Sequence, residues 1–229
     1  MKIRNSLLFL VVLTVPFLLL SASAGAALIN GGFESDFTGW TAAGNTSVQS
    51  VANVADLVDG SGGTVTFNPY EGEKMAAITY PNQAGSIWNN FIYQDVDLGA
   101  NDKYLNFAYN FWTYDEAPFD DPGFMVAING KTVFSIAAGD IGDDTLGNLD
   151  FTGWTLINIP VEQYYDPGRP ASIMISFNAG NTGDNLNPSG VFIDAVSVTE
   201  SPVPVPTTIL LLGSGLVAMI GLRKKTKGI

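Results

Sequence analysis

Carboxylates dominate the side chains that could do chemistry in this sequence. The chain has 22 Asp and Glu residues but neither cysteine nor histidine. These two absences exclude thiol nucleophiles, disulfides, zinc cages and Ser-His-Asp triads. Two carboxylates in a cleft would suffice for glycoside hydrolysis, but so many acids make such a pair uninformative, and no motif marks a nucleophile. We therefore predict a non-catalytic protein whose acids can offer oxygen ligands to a divalent cation.

The acidic residues are confined to one part of the chain. All of them lie between Glu34 and Glu200. Only four basic residues accompany them, namely Lys74, Lys103, Lys131 and Arg169. Four positive charges against 22 negative ones leave this segment with a formal charge of −18. Nucleic acids are therefore poor partners, because binding them requires Lys and Arg to neutralise phosphates.

Aromatic residues are the second group that could bind a ligand, since a ring offers a flat, largely apolar face to a sugar. The candidates for ligand binding are Trp88, Trp112, Tyr114, Tyr164 and Tyr165. Two asparagines follow Trp88, and the tyrosine pair precedes a Pro-Gly turn. Alternation along a strand directs about half of such side chains into a core. For each of these residues, packing in the core or at its rim is the alternative to sugar binding.

Short apolar segments separated by Gly, Asn, Asp and Pro must position these side chains. The segments with strand character are residues 76–80, 88–96, 104–114, 123–128, 131–136, 155–159, 171–178 and 191–198. No helical periodicity interrupts them, and Asn129-Gly130 predicts a two-residue type I′ hairpin turn. The pattern predicts an all-β fold, a single β-sandwich or jelly roll, over residues 27–200.

One six-residue sequence, D-F-T-G-W-T, occurs twice, at residues 36–41 and 150–155. Two copies do not make a repeat array, which would need further copies at a fixed period. We predict that each copy is a turn at the start of a strand that directs its tryptophan, Trp40 or Trp154, onto the core. A pair of exposed aromatic platforms is the alternative.

The two ends of this domain resemble those of carbohydrate-binding jelly-roll modules. Residues 28–34, L-I-N-G-G-F-E, followed by Gly39-Trp40, resemble the opening strand of those modules. Residues 191–198, V-F-I-D-A-V-S-V, resemble their last strand, with Ala195 where Asn is usual. The resemblance implies a structural calcium (Ca2+) site with Glu34 and Asp194 as ligands, completed by carbonyls of Gly32 and of a residue near Lys74. In the alternative, Glu34 is solvated and Asp194 caps a strand end.

The two termini carry the features of export signals. Residues 1–26 combine a basic start, an apolar run and a small-residue exit, as a secretory signal peptide does. At the other end, residues 201–206 form a proline-rich linker that can enter neither a helix nor a central strand. The apolar residues 207–222 predict a transmembrane helix, and the basic tail at 223–229 should stay in the cytoplasm.

This C-terminal arrangement resembles the PEP-CTERM sorting signal in its V-P-V-P variant. The sorting motif is Pro204, Val205 and Pro206, with Val205 where the family usually has Glu. The resemblance implies processing by exosortase, a membrane protease of Gram-negative bacteria that make exopolysaccharide. A single-span anchor is the alternative. The predicted route leads through the inner membrane to the cell surface or the extracellular matrix.

Together these features predict an exported surface or matrix protein that binds glycan and is stabilised by calcium. Its predicted partners are an exosortase-type protease and extracellular polysaccharide. The alternative function is that of a structural or adhesive surface protein that acts through protein contacts and has no sugar site.

Overall fold

The computed structural model describes residues 28–55, 63–80, 87–99, 101–115, 123–141, 148–164, 171–181 and 188–203. The predicted signal peptide, Tyr165, the sorting residues Pro204, Val205 and Pro206, and residues 207–229 lie outside these ranges, as does the side chain of Trp88. In the described part, no helix has the length and hydrophobicity of a membrane span.

Thirteen strands and two short 3₁₀ helices form the described part of the chain. The strands are β1 (Thr41–Ala43), β2 (Thr46–Gln49), β3 (Ala52–Ala55), β4 (Thr64–Phe67), β5 (Met75–Tyr80), β6 (Ile87–Leu98), β7 (Tyr104–Thr113), β8 (Gly123–Ile128), β9 (Lys131–Ala137), β10 (Asp150–Phe151), β11 (Thr155–Pro160), β12 (Ala171–Asn181) and β13 (Ser189–Thr199). The 3₁₀ helices span Ala138–Asp140 and Glu162–Tyr164. The predicted all-β fold is thus confirmed.

Two antiparallel sheets pack face to face. The five-strand sheet has the order β1-β6-β12-β8-β9, and the six-strand sheet has the order β10-β7-β13-β5-β2, with β11 also paired to β7. Side chains alternate along the long strands, so that one face of each sheet is apolar. Phe107 of the six-strand sheet meets Phe177 of the five-strand sheet with ring centroids 5.2 Å apart. Both rings are fully buried in the core between the sheets, where burial of a Phe side chain contributes about 1.5–3 kcal/mol.

The strands β3 and β4 pair with each other and form a separate two-stranded unit, here called the outer ribbon. Ala52 and Phe67 of the ribbon belong to a second apolar cluster with Met75, Ala77 and Phe192 of the six-strand sheet. These sheet residues alternate with residues that face the main core, such as Ile78. The ribbon therefore covers the outer face of the six-strand sheet.

Two local predictions have different outcomes. Asn129 and Gly130 both have positive φ, 51° and 76°, as the predicted type I′ turn requires. The predicted opening strand at residues 28–34 is wrong, because this segment contains turns and no strand. Asn30 and Phe33 have φ values of 54° and 56°, which are incompatible with an extended chain.

Candidate functional site

The acidic residue Asp194 is held in place by an irregularity in β13. The pairing of β13 with β7 shifts between Asp194 and Ser197, which indicates a β-bulge. At the bulge, the N–H of Val196 donates to the carbonyl oxygen of Gly31 at 3.0 Å. A Cβ on Gly31 would lie 1.8 Å from the Val196 oxygen. The N-G-G segment thus docks directly onto the bulge, which brings the two ends of the domain together.

The loop at residues 68–74, which connects β4 to β5, is fixed by two carboxylates from these ends. Oδ2 of Asp194 accepts from the N–H of Glu71 at 3.1 Å. Oε1 of Glu34 accepts from the N–H groups of Glu73 and Lys74 at 2.7 and 3.2 Å. A Cβ on Gly72 would lie 2.0 Å from the same Glu34 oxygen, and Gly72 has a φ of 64°. Only glycine therefore allows this close approach.

All four predicted metal-site residues lie around this loop. Gly32 faces two carboxylates, since a Cβ there would lie 3.8 Å from Oδ1 of Asp194 and 3.9 Å from Oε1 of Glu71. The ammonium group of Lys74 contacts Asp36 at 2.8 Å and so points to a different acid. Glu71 was not predicted, because it lies in a loop that carries no recognisable motif. Across the ranges that the structure describes, no cluster of three or more acidic side chains forms a metal-binding group.

Glu34, Glu71 and Asp194, here together called the acidic site, favour the binding of a proton or a cation. Burial raises the pKa of Asp194 from 3.8 to about 6, although N–H donors from Glu71 and Ala195 lower it, and the Glu71 carboxylate adds repulsion. Burial and the same two carboxylates also raise the pKa of Tyr70. Asp194 is completely buried and so is an unfavourable place for an uncompensated negative charge.

Backbone strain is concentrated at the same place. Among the described residues, five non-glycine residues have positive φ, namely Asn30, Phe33, Asp36, Asn129 and Ala195. All except Asn129 flank Glu34 or Asp194 in the sequence. The left-handed conformation costs Phe33 and Ala195 roughly 1–2 kcal/mol each, whereas Asn and Asp adopt it more readily, and such strain is found preferentially at functional sites. The segments around the two carboxylates therefore hold an unfavourable conformation that other interactions must compensate.

The predicted sugar-binding aromatic residues have different environments. Trp112 and Tyr114 are only 6% and 4% exposed and pack edge to face at 5.9 Å. Tyr164 is half-buried in the second 3₁₀ helix, with the ammonium group of Lys131 5.2 Å from its ring centroid. Trp88 lies on β6. The structure thus brings Trp112 and Tyr114 together, while Tyr164 lies beside Lys131 and apart from them.

Two clefts flank the outer ribbon. The β3 cleft, on the side of β3, has a volume of about 370 Å³ and includes Trp112, Tyr114, Tyr80 and Asn53 in its lining. The β4 cleft, on the side of β4, has a volume of about 380 Å³ and includes Phe67, Asn68, Asn110, Phe151 and Trp154. Among the described residues, neither lining contains a charged side chain. The two sites differ from the acidic site in this respect.

The β4 cleft combines exposed aromatic surface with a buried amide. Phe151 is 46% exposed, and Trp154 is fixed by a hydrogen bond from its Nε1 to the carbonyl oxygen of Asn68 at 2.9 Å. Tyr70 packs against Trp154 at 5.8 Å. Oδ1 of Asn110 is buried and accepts no hydrogen bond within the described part of the chain. The sequence predicts Trp154 as a core residue, with an exposed aromatic platform as the alternative, and Asn110 carries no signal beyond its place in a strand.

The two copies of D-F-T-G-W-T are not equivalent. Trp40 is 7% exposed in the main core and packs against Phe33 and Phe177. The prediction is therefore correct for the first copy. Trp154 of the second copy is only partly buried against the second apolar cluster, and together with Phe151 it lines the β4 cleft. The second copy begins at β10, on the edge of the six-strand sheet, where Phe151 contacts Phe67 of the outer ribbon.

The described chain is therefore an all-β sandwich protein with an acidic site at one junction and two uncharged clefts on one sheet. Residues 202–225 match the PEP-CTERM protein-sorting motif. The predicted sorting signal is thus confirmed, and the motif indicates export to the cell surface. No curated protein is similar enough in sequence to count as a relative.

Several solved structures of carbohydrate-binding modules are similar to this chain. One is TmCBM61 in complex with β-1,4-galactotriose, with 19% identity, a TM-score of 0.38, and coverage of 76% of this chain and 97% of that one. TmCBM27, which recognises mannan, has 8% identity, a TM-score of 0.38, and coverage of 76% and 95%. CBM28, specific for non-crystalline cellulose, has 14% identity, a TM-score of 0.40, and coverage of 76% and 94%.

Proposed function

We propose that this chain is an exported, non-catalytic glycan-binding protein and that the β4 cleft holds the sugar. The observation that carries the proposal is the position of Phe151, which is 46% exposed and lines the cleft together with Trp154 and Asn110. The buried amide oxygen of Asn110 has no hydrogen-bond partner within the described part of the chain. Ligand sites are typically concave and apolar, with a few polar groups that fix orientation. A sugar offers C–H faces to the rings and hydroxyl donors to the amide.

The lining of the cleft supports a binding role over hydrolysis. A glycoside hydrolase needs two carboxyl groups that flank the scissile bond. The described lining of the β4 cleft contains amide, hydroxyl and aromatic groups but no acid. Bound glycan would therefore be held without a general acid or a nucleophile.

The sorting motif supports a place for this activity outside the cell. A signal peptide at residues 1–26 would start export, and an exosortase-type protease would process the segment after Pro204-Val205-Pro206. The product would reside at the surface or in an extracellular polysaccharide matrix. Its formal charge of −18 over residues 34–200 would keep it soluble there.

Calcium at the acidic site is part of the proposal. The carboxylates of Asp194 and Glu71 both face Gly32, and calcium prefers such hard oxygen ligands together with backbone carbonyls. Asp194 is completely buried, so a bound cation would compensate a charge that is otherwise costly. Glu34 would hold the loop at residues 68–74 in place through its two backbone hydrogen bonds. In this role calcium stabilises the fold and takes no part in chemistry.

Affinity electrophoresis of the full-length chain in detergent tests the sugar site. Gels that contain galactan, mannan or soluble cellulose should retard the wild-type chain, and Phe151→Ala should migrate faster in the retarding gel. Val51→Ala is the matched control, because Val51 is 47% exposed and lines neither cleft. Migration unaffected by every polysaccharide would contradict glycan binding and favour a structural or adhesive protein that acts through protein contacts.

A further inference from the structure

The β3 cleft is a second site that the proposed function leaves unused. We infer that this cleft binds a second neutral glycan segment, so that one molecule of the protein bridges two polysaccharide chains. The inference rests on the proposed function and extends it from a monovalent binder to a cross-linker.

The β3 cleft has the composition of a sugar site. Its volume of about 370 Å³ is close to the 380 Å³ of the β4 cleft. The side chains of Trp112 and Tyr114 provide an aromatic wall, and Gln49, Asn53 and Thr79 provide amide and hydroxyl groups. No charged residue occurs in its described lining. In a domain this acidic, an uncharged cleft without cations suits a neutral glycan and disfavours an acidic one.

The indole of Trp112 provides a fixed, unused hydrogen-bond donor. Its Nε1 is buried and donates to no acceptor in the described part of the chain. A Cβ on Gly190 would lie 2.8 Å from Cζ2 and 2.9 Å from Cε2 of the indole, so the ring lies directly on the Gly190 backbone. An unsatisfied buried donor destabilises the folded protein. A ligand oxygen that reaches this N–H would remove this destabilisation.

The outer ribbon keeps the two clefts separate. Phe67 of β4 packs against Phe192 of the sheet at 5.0 Å and against Phe151 at 5.4 Å. Phe192 lines the β3 cleft, whereas Phe67 and Phe151 line the β4 cleft. This contact closes the space between the ribbon and the sheet, so a single straight glycan cannot occupy both clefts. Two ligand segments must enter from opposite sides of the ribbon.

The two clefts offer opposite hydrogen-bonding groups. Asn110 and Trp112 are alternate residues of β7 and lie about 6.8 Å apart along the strand, both on its outer face. Among the residues that the structure describes, Asn110 leaves an acceptor unsatisfied, whereas Trp112 leaves a donor unsatisfied. The β4 cleft therefore needs a hydroxyl that donates, and the β3 cleft needs an oxygen that accepts. Different parts of the same neutral polysaccharide can meet both requirements.

Calorimetric titration of the full-length chain in detergent tests the inference. The probes are β-1,4-galactotriose, mannotriose and cellotriose. We expect at least one of them to bind with a stoichiometry of two. Val54→Trp, which adds bulk to the β3 cleft from the sheet-facing side of β3, and Phe151→Ala, which removes the β4 platform, should each reduce the stoichiometry to one. The remaining site should keep its affinity within about twofold, as independent sites do.

A second pair of measurements guards against misfolding and tests bridging. Gln49→Ala combined with Asn53→Ala removes two amides from the β3 rim without adding bulk, and circular dichroism checks the fold of each variant. The polysaccharide that corresponds to the bound probe should aggregate with the wild-type chain in light scattering but not with either single-cleft variant. A wild-type stoichiometry of one that Phe151→Ala abolishes would overturn the bridging inference and leave the proposed function intact. Absence of binding by all three probes would overturn both.

Discussion

At the scale of single residues, Ala195 occupies a backbone conformation that suits another residue better. Its φ is 52°, and it lies in the β-bulge beside Asp194. Asparagine and glycine adopt the left-handed region more readily than alanine. The Asn that is usual at this position in the similar carbohydrate-binding modules would therefore suit this backbone conformation better than Ala195 does.

Ala195→Asn should therefore stabilise the protein. We expect a gain of about 1 kcal/mol, because part of the left-handed penalty is removed. A gain of that size corresponds to a rise in Tm of roughly 2–4 °C for a domain of this length. Thermal unfolding followed by circular dichroism measures the shift. Ala43→Asn on β1, where φ is not positive, is the control and should not raise Tm. An unchanged or lower Tm for Ala195→Asn would show that the φ of Ala195 carries no strain.

The raised pKa of Asp194 predicts how the free energy of unfolding depends on pH in the presence of a chelator. Its pKa is about 6 in the folded protein and 3.8 as the reference value, so the folded state binds the proton more tightly than the unfolded state. The contribution of Asp194 to stability is therefore greatest below pH 4, falls between about pH 4 and 6, and stays low above that. In urea unfolding, the wild-type chain should lose stability relative to Asp194→Asn as the pH rises through this window. A constant difference between the two chains would contradict the raised pKa.

The acidic site shows which residues a sequence can reveal. Glu34 and Asp194 belong to short patterns that lie next to each other in the folded domain, so the resemblance found them. Glu71 lies in an irregular loop and reaches the site only because Asp194 binds its backbone N–H. Its position depends on a hydrogen bond between residues 123 positions apart, which local patterns do not encode.

At the scale of elements, the long strands were predictable and the short ones were not. The eight predicted segments all correspond to strands, since each has a continuous apolar pattern. The five missed strands, β1 to β4 and β10, have at most four residues. Their sequences are short and rich in Ala and Thr, and they become strands only through pairing with neighbours. The outer ribbon, and with it both clefts, could not be predicted for this reason.

The loop at residues 68–74 predicts coupling between the acidic site and the β4 cleft. One end holds Trp154 through the Asn68 carbonyl, and the middle binds Asp194 through the Glu71 N–H. Calcium that orders this loop should raise glycan affinity about tenfold, since fixing one residue of backbone costs about 1–2 kcal/mol. Titration with calcium should also change tryptophan fluorescence.

Two variants assign this response to the loop. Trp154→Phe should abolish most of the fluorescence change, although Trp40, Trp88 and Trp112 remain. Glu71→Gln should weaken the response to calcium while it retains the backbone hydrogen bond to Asp194. A full fluorescence response in Trp154→Phe, or equal glycan affinity in calcium and in chelator, would show that the two sites are independent.

At the scale of the whole molecule, the domain has three layers and is followed by the sorting motif. The five-strand sheet, the six-strand sheet and the outer ribbon are joined by two apolar clusters, one on each face of the six-strand sheet. Both clefts lie in the outer layer, away from the main core. Substitution of an exposed cleft residue such as Phe151 should therefore alter binding with little effect on the sandwich.

The sorting motif predicts that the exported protein loses its C-terminal segment. The apolar residues 207–222 would span roughly 24 Å as a helix at about 1.5 Å per residue, which is short of the ~30 Å of a bilayer core. Such a segment suits transient insertion and removal better than permanent anchoring. Mass spectrometry of the surface and medium fractions should find chains that end near Pro206 and that also lack residues 1–26.

Two genetic changes give the matched comparison. In cells without the exosortase, the full C-terminal segment should be retained and the protein should accumulate in the inner membrane. Pro204→Ala combined with Pro206→Ala should reproduce this retention, whereas Pro202→Ala, outside the Pro-Val-Pro motif, should not. Recovery of peptides from residues 207–222 in the wild-type surface fraction would mean that the segment is a lasting anchor. Bridging of polysaccharide would then take place at the membrane surface, because a protein that keeps its anchor cannot enter the matrix.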